Sequence, residues 1–96
     1  MKHYLYIIYS KSKNKYYVGE TSDINERIIK HNTHYYDNSY TKIADDWKSL
    51  LSFQCENSKD ALFLEKFIKK MKSTTFIKKI IENPLILEDL LLKNKL

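Results

Sequence analysis

The 96-residue chain has room for one ordinary domain, so catalysis and ligand binding must share one small core. Its 43% hydrophobic and 30% charged residues exclude a disordered chain. No apolar run approaches the roughly 18 residues of a membrane span and no apolar signal core opens the chain, so a cytoplasmic location is expected.

His3 to Tyr9 alternates as a strand, with Tyr4, Tyr6 and Ile8 on one face and Leu5, Ile7 and Tyr9 on the other, both apolar enough to be buried. The polar stretch Ser10 to Lys15 contains the turn former Asn14 and leads to a second β-prone run, Tyr16 to Val18, ending at Gly19. This predicts a hairpin. Gly19 is the only glycine, which suggests a backbone position where a side chain would obstruct something. Thr21 or Ser22 is placed to cap a helix from Asp23 to about Asn32, with Ile24 and Ile28 as its core face. Asp23, Arg27 and His31 share a second face at i, i+4 spacing. That spacing suits a common cleft for Arg27 and His31, but by itself it favours the simpler reading of an exposed Asp-Arg pair with a surface histidine.

Thr33 to Asp46 is polar, lacks sustained periodicity and reads as a loop. A third strand, Trp47 to Cys55, is expected to carry Trp47, Ser49, Leu51, Phe53 and Cys55 on one side. Cys55, the only cysteine, has no disulfide partner and reads as a small buried apolar residue. Asn57 or Ser58 caps a helix to about Lys72 with apolar positions Ala61, Leu62, Leu64, Ile68 and Met71. Glu65 falls on or beside that helix's buried face, where a metal ion, an arginine or an exposed rim position would each accommodate the carboxylate. The rim is the simplest of the three. Ser73 to Thr75 caps a short helix, Phe76 to Glu82, and Asn83-Pro84 ends it and opens a last helix with a broad apolar stripe from Leu85 to Leu92.

Seventeen Lys and Arg against twelve Asp and Glu give a net charge of +5. The excess lies at Lys11, Lys13 and Lys15 and between Lys66 and Lys79. It suits a polyanionic partner, although lysines on helices commonly form only a solvated face.

Taken together, these motifs resemble the GIY-YIG nucleases, specifically their small stand-alone bacterial members, over nearly the whole chain. Tyr4-Leu5-Tyr6 and Tyr17-Val18-Gly19 stand at the two tripeptides on adjacent hairpin strands. Arg27 follows ten residues after Tyr17. His31-Asn32 closes the helix, Thr41-Lys42 and Trp47-Lys48 lead into the third strand, and Ala61 to Lys66 with Ile68-Lys69 matches the helix that carries the family's glutamate. Tyr4 replaces the family's first glycine, and Glu20 stands where some relatives have lysine.

The resemblance implies an α/β (α+β) fold with a small three-stranded antiparallel sheet flanked by helices. A core of about residues 1–72 would carry a C-terminal helical extension of about 73–96. It implies a DNA endonuclease in which Glu65 holds one divalent cation, Mg²⁺ or Mn²⁺, and water and the scissile phosphate complete the shell. Tyr17 would orient or deprotonate the nucleophilic water. A phenol needs nearby positive charge for that work at neutral pH, and Arg27 would supply it while holding phosphate oxygens. Tyr6 and His31 would donate hydrogen bonds or relay a proton, and Gly19 would let the backbone approach the phosphate. Lys42, Lys66, Lys69 and Lys70 would contact DNA. A homodimer or a partner protein would supply specificity that so small a domain lacks. Two other readings share these residues: a nucleic-acid-binding module of the same fold with little activity, and a protein-interaction domain using the C-terminal helices.

Overall fold

The computed structural model describes residues 2–34 and 40–96. Its elements follow as β1 (His3–Ser10), β2 (Lys15–Thr21), α1 (Ile24–Asn32), a 3₁₀ turn (Tyr40–Ile43), β3 (Trp47–Cys55), α2 (Ser58–Met71), α3 (Thr74–Glu82) and α4 (Leu85–Asn94). The strands form an antiparallel sheet in the order β2-β1-β3, so the first strand made is the central one. The expected α+β architecture is therefore present. No helix among the described residues is long and apolar enough to cross a membrane.

The two faces of β1 are buried by different partners. Leu5 and Ile7 pack with Val18 and with Ala61, Leu64 and Ile68 of α2, while Tyr6 and Ile8 pack with Ala44, Trp47, Ile24 and Ile28. Between the strands of the hairpin, Asn14 takes the left-handed conformation (φ 51°) and its Oδ1 accepts from the Tyr9 hydroxyl at 2.8 Å. The turn is tied to the start of β3 as well, because Asp46 accepts from the Ser10 hydroxyl at 2.6 Å and from the Ser12 N–H at 2.9 Å. Those bonds hold the Asp46 carboxyl below its ordinary pKa.

In β3 the structure corrects the expected side-chain assignment. Ile7 pairs with Leu51 but Ile8 pairs with Ser49, so Leu50 is an extra, bulged residue, and it is exposed. The bulge reverses the alternation. Leu51, Phe53 and Cys55 face the α2 side, whereas Trp47 turns to the α1 side and is buried there. A strict period of two carried through Leu50 cannot reveal this.

Local chemistry sets the helix ends. Asp23 itself caps α1, accepting from the Glu26 N–H at 3.0 Å, while Thr21 Oγ1 accepts from the Asp23 N–H, so the helix starts one residue later than its charge pattern suggests. Asn57 caps α2 and Ser73 caps α3 in the same way. Lys72, at φ 50°, ends α2 in the left-handed conformation and turns the chain into α3. On α2 the buried apolar residues are Ala61, Leu64 and Ile68, while Leu62 and Met71 are exposed. On α4 the apolar stripe is narrower than expected: Leu87 is fully buried, but Leu85 and Leu92 are exposed.

The segment expected as a C-terminal extension packs into the main core: Ile80 and Leu87 share the cluster of Leu5, Ile7 and Leu64. The expected loop before β3 contains the 3₁₀ turn, whose Thr41 is buried. The middle of that loop, residues 35–39, lies outside the described residues.

Candidate active site

The hairpin register assembles the first half of the site. Tyr6 stands opposite Gly19 and Ile8 opposite Tyr17, so the two tyrosines and the glycine share the face that α1 covers. A Cβ on Gly19 would lie 2.5 Å from the Tyr6 hydroxyl oxygen and 2.6 Å from its Cζ. The glycine is thus a recess for the Tyr6 ring, which is 1% exposed and has no room to swing away. The space beside the backbone that was expected for a phosphate is filled by this ring.

α1 adds His31, which is 2% exposed rather than a surface residue. Its Nε2 lies 2.8 Å from the Tyr6 hydroxyl and its Nδ1 lies 2.7 Å from the Thr41 hydroxyl. Burial, reinforced by the positive charge of Arg27 one helical turn earlier, lowers the imidazole pKa from 6.5 to about 4. At neutral pH the ring is uncharged, so one nitrogen donates and the other accepts. Tyr6, His31 and Thr41 therefore form a chain along which a proton can pass by a change of tautomer.

Thr41 is held from behind. The Trp47 indole N–H donates to the Thr41 carbonyl at 2.8 Å. Asn32 clamps the Trp47 backbone, accepting from its N–H at 2.7 Å and donating to its carbonyl at 3.0 Å. The 3₁₀ turn is thereby fixed to β3, and the bulge at Leu50 is what turns the indole to this side.

The second half of the site comes from α2, on the opposite face of the sheet, and meets the first at the edge of β2. Lys69 Nζ lies 2.6 Å from Glu65 Oε2 and 4.9 Å from the centre of the Tyr17 ring. It joins the glutamate and the tyrosine through a charge-assisted hydrogen bond and a cation–π contact. The Glu65 side chain is 18% exposed, at the rim of the buried face. Tyr17 also meets His31 edge-on, with ring centres 5.2 Å apart, and lies nearly parallel to Tyr40 at 6.4 Å.

The structure thus gathers Tyr6, Tyr17, Gly19 and His31, sets Arg27 beside His31, and brings Glu65 to Tyr17 through Lys69. Lys42 is exposed next to Thr41, and Lys66 and Lys70 are exposed on α2. No described hydrogen bond or ion pair joins these three lysines to the cluster. Glu20 lies on the Leu5 side of the hairpin and accepts from His3 Nδ1 at 2.7 Å, away from the Tyr6 face. Sequence reasoning did not assign the Thr41 hydroxyl or the Tyr40 ring to the site. Thr41-Lys42 was visible as a motif, but no spacing rule connects the threonine to a histidine ten residues earlier.

Among the described residues no group of three or more His, Cys, Asp or Glu side chains is arranged to hold a metal ion. A closed zinc-type centre therefore does not fit these residues. A single carboxylate does fit a hard cation such as Mg²⁺, which keeps several waters and is commonly held by one or two carboxylates together with substrate phosphates. Beside Tyr17 lies an open groove of about 690 Å³, bounded by β2, the 3₁₀ turn and the junction of α2 with α3.

Residues 2–80 match the family described as the GIY-YIG catalytic domain. Among solved structures the chain resembles the NMR structure of the UPF0213 protein BH0048 from Bacillus halodurans, at 24% identity and a TM-score of 0.54 over 85% of this chain and 84% of that one. At that identity the likeness shows a shared fold. No curated protein matches the chain.

Proposed function

The chain belongs to the GIY-YIG family, whose domain has a nuclease-type fold, and from that premise we propose that it is a divalent-metal-dependent endonuclease that hydrolyses DNA phosphodiester bonds. The observation that carries the reading is Lys69, which bridges the Glu65 carboxylate and the Tyr17 ring, while Tyr17 in turn meets His31 of the Tyr6-His31-Thr41 chain edge-on.

Hydrolysis needs an oriented water, relief of the charge that builds at phosphorus, and a proton path. Glu65 would hold the cation through the oxygen that Lys69 leaves to it, and the cation, when bound, would polarise the phosphate. Mg²⁺ or Mn²⁺ suits an oxygen donor of this kind. Tyr17 would position the attacking water. Arg27 and Lys69 would face the phosphate oxygens with positive charge. The neutral imidazole of His31, held in place by Thr41 at its other nitrogen, would take the proton the water loses through the Tyr6 hydroxyl and return it through Tyr6 to the leaving oxygen. The +5 charge supports a polyanionic substrate. The small core supports weak sequence preference, with branched or flapped DNA of repair and recombination as the natural substrates, or specificity added by a second copy or a partner.

The Glu65-Lys69 ion pair also favours a second reading, because a carboxylate already neutralised by lysine holds a cation weakly: a DNA-binding module of low activity. One experiment separates the two. Plasmid, single-stranded and branched DNA are incubated with the protein and Mg²⁺ or Mn²⁺, with Glu65→Ala and Tyr17→Phe in parallel. Cleavage that stops with chelator and falls about 10²- to 10⁴-fold in both variants is expected for the nuclease. Salt-sensitive binding without cleavage by the wild type would leave the binding module.

A further inference from the structure

We propose that the groove beside Tyr17 is a seat for unpaired DNA strand, so that the preferred substrate has single-stranded nucleotides next to the bond to be cut. The identity of the polyanion rests on the nuclease reading above, while the seat itself rests on the lining of the groove.

The groove follows the free edge of β2. Tyr16, Tyr17 and Tyr40 line it with Lys69, Lys72 and Ile77. A smaller recess of about 330 Å³ continues it, sharing Tyr16, Tyr40 and Ile77 and adding Lys15 and Lys78. Among the described residues no Asp or Glu lines either part, and the carboxylate of Glu65 is bound to Lys69. Flat apolar rings set between lysines, with no carboxylate among them, are what a single strand requires: its bases need faces to stack on and its phosphates need cations. A double helix hides its base faces, and the larger part, at about 690 Å³, has the size of a ligand pocket rather than of a duplex cleft.

An apolar peptide is disfavoured, because it would bury the ammonium groups of Lys15, Lys72 and Lys78 with no carboxylate among the described lining residues to pair them, while the carboxylate of Glu65 is already taken by Lys69. Tyr40 has the exposure a stacking platform needs, 49%, and its inner side already lies against Tyr17. A base on Tyr40 would therefore adjoin the ring proposed to orient the water. The far end of the groove is lined by Thr74, Ile77 and Lys78 of α3.

The test is equilibrium binding of a short fluorescein-labelled oligothymidylate, and of a duplex of equal length, followed by anisotropy in EDTA so that nothing is cut. Wild type is expected to favour the single strand. Tyr40→Ala, at a half-exposed ring, and Lys78→Gln, on an exposed face of α3, are expected to weaken that binding, the first by roughly tenfold. Lys78→Gln should also flatten the log–log salt dependence by about 0.7. Tyr40→Phe should restore binding, which a lost hydroxyl contact would not allow. Equal affinity for the two probes, or single-strand binding unchanged by Tyr40→Ala and Lys78→Gln, overturns the proposal. Because no step requires cleavage, a protein that binds as expected but cuts nothing refutes the nuclease and leaves the seat. One that cuts, with groove variants binding as wild type, refutes only the seat.

Discussion

Two buried residues tie the stability of this protein to its site. His31 must stay uncharged in the folded protein, where its pKa is about 4, but takes up a proton near 6.5 when unfolded. The unfolded state therefore binds more protons between those values, so stability is full above about pH 6.5, declines as the pH falls and levels off below about 4. The full loss is about 3 kcal/mol. Urea unfolding at pH 7.5 and pH 4.5 should reveal it, and His31→Gln should remove most of the difference. If the variant keeps the wild-type pH dependence, His31 is not its source. Gly19 makes the opposite demand, for empty space. Gly19→Ala forces a methyl group into the Tyr6 ring and should cost about 1–3 kcal/mol, as overpacking does. On the nuclease reading it should also depress cleavage, because Tyr6 cannot shift without lengthening its bond to His31. An alanine variant with wild-type melting temperature would show that the ring can yield. That the sole glycine excludes a side chain was legible from its position; that the obstructed group is Tyr6 follows only from the cross-strand register.

Among the elements, β3 shows most clearly where sequence patterning stops being informative. Its boundaries were readable from composition and turn signals, yet its faces were not, because a bulge costs one residue and leaves no mark in a run of apolar and polar residues. The helices were legible for a related reason: Asn57 and Ser73 have capping chemistry written in their side chains, while Asp23, expected as the first residue behind a Thr21 or Ser22 cap, is itself the cap, and the exposure of Leu62 and Met71 depends on which neighbours α2 meets. The 3₁₀ turn is too short to generate a period. The bulge can be tested through the only tryptophan. Deleting Leu50 should restore strict alternation and carry Trp47 off the α1 side, breaking its bonds to Asn32 and Thr41. Its fluorescence, from a residue 3% exposed, should then shift to the red, with His31 left without its fixed turn. Unchanged emission would mean that the strand re-forms the bulge elsewhere.

At the scale of the whole molecule, the sheet keeps two apolar clusters apart and the candidate site lies where their coverings meet, at the edge of β2. Family motifs made most of these residues recognisable, but the bridging position of Lys69 emerges only when α2 is laid across the strand. Because α3 and α4 complete the larger cluster, Leu87→Ala should cost about 2–5 kcal/mol, a large share of the roughly 5–15 kcal/mol expected of a domain. Thermal melting would measure it; a change under about 1 kcal/mol would make α4 dispensable. The order of the strands bears on synthesis as well. Made before β3, β1 must wait for it on its other flank, and Tyr17 precedes Glu65 by nearly fifty positions. At about 5–20 residues per second, several seconds separate the two halves of the site during translation. A nascent chain thus carries the tyrosines well before it carries the carboxylate, and on the nuclease reading chemistry that needs both is withheld until α2 has been made.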